Sequence, residues 1–134
     1  MKVLVDSAHG AHFGACDELP ESAVKLGADM VVMSAHKTLP SLTQTAYLHL
    51  GESMDESIVD FYVSLFLSTS PSYLFMCSLE YSRFFLEKYG NEEYKKLINL
   101  TNEYKSKVNN LVAFHIIGDE DIKRNFYNEK IDPT

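Results

Sequence analysis

Two short stretches of this sequence hold residues that could share a reaction. Asp6-Ser7-Ala8-His9-Gly10 closes the strand-like run 1–6 (MKVLVD), and Ser34-Ala35-His36-Lys37-Thr38 closes a second apolar run, 28–35 (ADMVVMSA). Ligands of open α/β sheets bind outside the carboxyl ends of strands, so an acid at Asp6 is well placed. The same Asp can instead simply cap the turn that follows. A lysine leaving a buried apolar strand is unusual without a partner. Lysine amines stripped of water attack carbonyls, the basis of Schiff-base chemistry, whereas an exposed lysine merely snorkels to the surface.

Taken together the two stretches say more. If the crossover between the strands is right-handed and the strands are near neighbours, Asp6 and Lys37 end at one edge of the sheet. A carboxylate and an imine-forming lysine on either side of a flat ring is the pyridoxal phosphate arrangement. Ser34 and His36 would add a hydroxyl and an imidazole near the phosphate or the imine. Ser68-Thr69-Ser70, followed by Pro71 at a helix start, offers hydroxyls and free backbone N–H groups for a phosphate, or for capping alone. His9 and His12 stand three apart in a glycine-rich loop with no third ligand in view, so no metal site is expected.

These residues need elements to hold them. The 134 residues are enough for one domain with a real core, and 46% hydrophobic against 23% charged residues excludes wholesale disorder. A net charge of −7 and a pI near 5.1 argue against gripping nucleic acid or anionic lipid through bulk charge. No apolar stretch is long enough to span a bilayer and no export signal is seen, so a cytoplasmic protein is expected. Cys16 and Cys77 are too few for a disulfide framework and read as reduced, buried thiols.

The spacing predicts strands at 1–6, 28–35 and 45–50, with one or two helical turns over 21–27 between the first two. The middle strand, apolar throughout its centre, should be covered on both faces. Helices are predicted over 55–67, from about 72 to 89 with Gly90 as the stop, and from an Asn91 N-cap to Leu111. Residues 118–134 read as a charged, aperiodic tail. The fold class is therefore α/β, part of a mostly parallel sheet with covering helices: a sheet segment over 1–50, helices over 55–113, then the tail. Three strands for three helices suggest a piece of something larger.

The strings VDSAHGAHFG and LPESAVKLGADMVVMSAHKTLPSLTQTAYLHL resemble the core of the bacterial ornithine/lysine/arginine decarboxylases, fold-type I pyridoxal phosphate enzymes. STSPSYLFMCSLEYSR resembles the same family's helix-start segment. The resemblance covers nearly all of residues 1–83 and continues more loosely to the closing DPT. It implies pyridoxal 5′-phosphate as cofactor, decarboxylation of lysine, ornithine or arginine, and a homodimer with shared active sites. It implies that Lys37 is the Schiff-base lysine, that Asp6 partners the pyridinium nitrogen, and that Ala8 packs on one face of the ring. His9 joins the cofactor loop, Ser34 and His36 lie at the phosphate and imine, and Ser68, Thr69 or Ser70 reaches the phosphate of a neighbouring subunit. Ser7 stands where an acid is common and should point away from the ring. The family's upstream phosphate loop and ring-stacking residue and its C-terminal domain are not in this sequence, so the chain reads as the second half of an incomplete large cofactor domain. The alternative is a catalytically inactive fragment with a structural or interaction role.

Overall fold

The computed structural model describes residues 1–67, 70–118 and 121. It is α/β: β1 (Leu4–Asp6), β2 (Met30–Ser34), α1 (Ala35–Thr38), β3 (Ala46–Leu50), α2 (Glu56–Phe66) and α3 (Tyr73–Asn109). The three strands form one sheet in the order β1-β2-β3. β1 runs parallel to β2, with Asp6 opposite Val32, and β3 runs antiparallel to β2, with Ala46 opposite Ser34. The sheet is thus mixed, where a mostly parallel one was expected. The reason is the length of the connection. A parallel crossover needs a dozen or more residues, and the short α1 link between Ser34 and Ala46 leaves β3 room only to turn back.

β2 carries the core. Val31 and Met33 are buried on one face, together with Ala35, Leu39, Tyr94 and Ile98 and with Ala11, Cys16 and Leu19 from the loop after β1. The opposite face was expected to be covered as well. Instead Leu4, Val32 and Leu48 stay substantially exposed there, beside an apolar groove of about 540 Å³ under α2. α2 is capped by Asp55, whose carboxylate accepts from the Ser57 and Ile58 N–H groups at 3.0 and 3.3 Å.

α3 departs most from the sequence reading. Gly90 and Asn91 do not end one helix and begin another; a single helix runs for 37 residues. The positive-φ glycines are Gly14 and Gly27, and Gly90 is helical. A Cβ at Gly90 would lie 3.3 Å from Leu86 Cδ1 and 3.6 Å from the Ala15 side chain. This glycine therefore lies buried inside α3, facing the 11–19 loop, rather than at a helix stop. Gly27, at φ 85°, does close the segment before β2, which forms turns (Leu26 N–H to Ser22 O, 3.1 Å) rather than a full helix. Cys16 is buried, but Cys77 sits exposed on α3. Apart from Gly118 and Asp121, the expected tail lies outside the described residues, as do Ser68 and Thr69. Among the described residues no helix is long and apolar enough to cross a membrane.

Candidate active site

The parallel pairing of β1 and β2 sends both carboxyl ends to the same edge. At Asp6 the chain leaves the sheet, and Ser7 N–H still bonds to Val32 O at 2.9 Å, extending the ladder by one step. Asp6 Oδ1 then accepts from Ala8 N–H at 3.1 Å, so the carboxylate does cap the turn. This engages one of its two oxygens. Successive tight turns follow, with Gly10 N–H to Ser7 O at 2.9 Å and Phe13 N–H to Gly10 O at 3.1 Å. Gly10 is buried, and a Cβ there would collide with Ser7 Oγ and press on the Phe13 ring. A larger residue there would force the Ser7 side chain and the Phe13 ring to move.

On the neighbouring strand, Ser34 ends β2 and N-caps α1 without a side-chain cap bond. α1 is one turn, closed by Leu39 N–H to Ala35 O at 2.9 Å, and Lys37 stands exposed in it. An open cleft of about 610 Å³ is lined by residues 6–10, Phe13 and Lys37. It thus joins Asp6, Ala8 and His9 to Lys37 across 31 positions of sequence. Ser7, expected to face away, also lines it. Ser34 and His36 are not among its lining residues. His36 turns to the residue before β3, where its Nδ1–H donates to Thr45 O at 3.0 Å; in the neutral imidazole this makes Nε2 the acceptor. Ser70 is exposed and likewise lies off the cleft. Among the described residues no group of three or more His, Cys, Asp or Glu is placed to hold a metal ion.

Sequence reasoning passed over what holds the lysine segment. Tyr94 on α3 donates its hydroxyl to Thr38 O at 2.6 Å, and its ring stacks on buried His12 with centroids 5.2 Å apart. Burial pushes the Tyr94 phenol up to about 12, so it stays a donor at any working pH. Ser82, fully buried, donates to Pro40 O at 2.9 Å, and Ser78 Oγ accepts from Leu42 N–H at 2.7 Å. Tyr94 read as one residue of an apolar stripe, and no local signal marks the two serines.

The "Orn/Lys/Arg decarboxylase, major domain" family model matches residues 1–132. The chain belongs to this family. Among similar proteins of the curated collection, YaaO of Bacillus subtilis is 47% identical over 93 residues, covering 68% of this chain and 19% of that protein. The arginine decarboxylases of Bacillus subtilis and Bacillus anthracis are each 36% identical over 119 residues, covering 88% of this chain and 24% of theirs. The chain therefore spans about a fifth to a quarter of the length of these relatives. The match to the Orn/Lys/Arg decarboxylase family takes in the whole cleft, the α1 segment and α3.

Proposed function

We propose that this chain forms part of a pyridoxal phosphate-dependent decarboxylase of a basic amino acid, contributing the lysine and the carboxylate that hold the cofactor. The observation that supports it is the single cleft lined by both Asp6 and Lys37, from the ends of adjacent parallel strands. The donor set fits the group: an amine, an acid, and a floor kept low by Ala8 and Gly10, in a volume typical of small-molecule sites. Pyridoxal phosphate, when bound, supplies an electron sink for the pair left behind as carbon dioxide departs.

The chain's own residues then divide the work. Lys37 Nζ is the covalent anchor. Asp6 keeps the ring nitrogen protonated through the oxygen not engaged by the Ala8 N–H, and Ala8 leaves room for one ring face. His9 borders the same cleft. Ser34 and His36 act from beside the lysine rather than from the cleft wall, His36 with its tautomer set by Thr45 O. Ser68, Thr69 or Ser70 reaches the phosphate of a second copy in a cytoplasmic homodimer. The relatives named above for a substrate act on arginine, which favours arginine over lysine and ornithine.

The test is to add pyridoxal phosphate, reduce with borohydride and map the modified peptide by mass. A label concentrated on Lys37, and lost in Lys37→Ala without loss of folding, is expected. A label spread over exposed lysines such as Lys88 and Lys96 would overturn the assignment.

A further inference from the structure

The segment carrying Lys37 has little structure of its own. α1 is a single four-residue turn closed by Leu39 N–H on Ala35 O, and an isolated turn of this length is far too short to persist in water. Its geometry must come from what it touches. On the sheet side, Thr45 O receives both Ala35 N–H at 3.0 Å and His36 Nδ1–H at 3.0 Å, which secures the start of the turn. At the other end, the residue directly after Lys37 gives its carbonyl to Tyr94 at 2.6 Å. Two positions on, Pro40 O is held by Ser82. Both donors stand on α3, more than forty residues away in sequence, at buried positions. The Tyr94 ring is itself immobilised between the core and His12, so its hydroxyl is a fixed point.

We propose that Tyr94 is a positioning residue for Lys37. By holding the Thr38 carbonyl, its hydroxyl sets the end of the turn from which the lysine side chain leaves toward Asp6. Without that bond, Thr38 O loses its donor, Leu39 N–H loses the support that keeps it on Ala35 O, and the lysine stem samples directions away from the cleft. The ring's packing is a separate contribution, and Tyr94→Phe removes only the hydroxyl. This inference rests on the cofactor role of Lys37 proposed above.

The test compares wild type, Tyr94→Phe and Ile98→Val in the full 134-residue chain. Ile98 is buried in the same core and on the same helix, but its side chain has no donor to offer a carbonyl of the lysine segment. Amide hydrogen exchange and borohydride-trapped labelling with pyridoxal phosphate are both read. In Tyr94→Phe the Leu39 amide should exchange about tenfold faster, while the Val31 and Met33 amides keep their wild-type rates. The ratio of label on Lys37 to label on Lys88 and Lys96 should fall by about tenfold, and Ile98→Val should change neither. Equal losses in Tyr94→Phe and Ile98→Val would overturn the inference by making it a matter of general stability. A wild-type Leu39 exchange rate or a wild-type labelling ratio in Tyr94→Phe would overturn it alone. Absence of selective Lys37 labelling in the wild-type chain would overturn the proposed function, and the Leu39 amide would still report whether Tyr94 holds the turn.

Discussion

The Lys37 segment and α2 are opposites. The first is one turn of helix with almost no structure of its own, yet the carbonyls of Ala35, Thr38 and, just beyond it, Pro40 are tied by the Leu39 amide, Tyr94 and Ser82. The second is an eleven-residue, well-capped helix with an apolar face, yet none of its residues is buried within this chain. Ile58, Phe61, Tyr62, Leu65 and Phe66 all stand more than half exposed, Phe66 at 85%. The contrast teaches that local propensity and tertiary support are separate quantities. α2 forms because of its cap and composition, and it gains little from packing. The lysine turn forms because a distant helix supplies donors for it.

The sharpest way to break this comparison is to empty each region in turn. Ile98→Ala removes a side chain from the core shared by β2, α1 and α3 and should cost about 2–5 kcal/mol, read as a shift in the denaturant midpoint. Leu65→Ala on α2 should change stability by less than about 0.5 kcal/mol. Equal costs would mean that α2 packs against this chain in solution.

Smaller effects sharpen it. Gly90→Ala replaces a mid-helix glycine, a gain of up to about 1 kcal/mol in helix propensity, against a 3.3 Å approach to Leu86 Cδ1. Leu86 borders a cavity of about 340 Å³ and has room to move, so the variant should be more stable by about 0.5 kcal/mol in thermal melts. A loss instead would show that the contact with the 11–19 loop leaves no slack.

His49 lines the same cavity beside Tyr47, and burial holds its imidazole below the ordinary 6.5. The unfolded chain therefore takes up a proton at His49 before the folded chain does. This contribution to stability is complete above about pH 7.5 and declines as pH falls through 6.5 toward the lowered folded value. Melts between pH 7.5 and 5 should show a shallower decline in His49→Gln than in wild type. Parallel profiles would exclude His49 as a source of the slope.

Much of the cleft could be read from one dimension. A strand ending in Asp6, a second apolar strand running into Lys37 and the turn-forming glycine between them required only local patterns and the handedness of crossovers. Capping the turn and facing a cleft do not compete at Asp6, because the cap bond to Ala8 N–H occupies one oxygen while the residue lines the cleft. What escaped was long-range. Gly90 has the look of a stop signal, and only Ala15 and Leu86 give it a different purpose. The antiparallel β3 follows from the shortness of its connection, which a search for strand–helix–strand units does not weigh. Tyr94 sits in a helical stripe indistinguishable from other core aromatics, and nothing near it mentions Thr38.

By itself, then, the sequence determined the chemistry on offer and its rough address, because residue type, strand period and turn chemistry are local properties. The tertiary structure alone decided which of those residues share a cleft. It brought Ser7 to the cleft wall, and it turned His36 toward Thr45 and away from the cleft. It also decided what steadies the lysine. Hydrogen bonds such as Tyr94 to Thr38 join residues 56 positions apart, and their partners are settled only when the whole core closes.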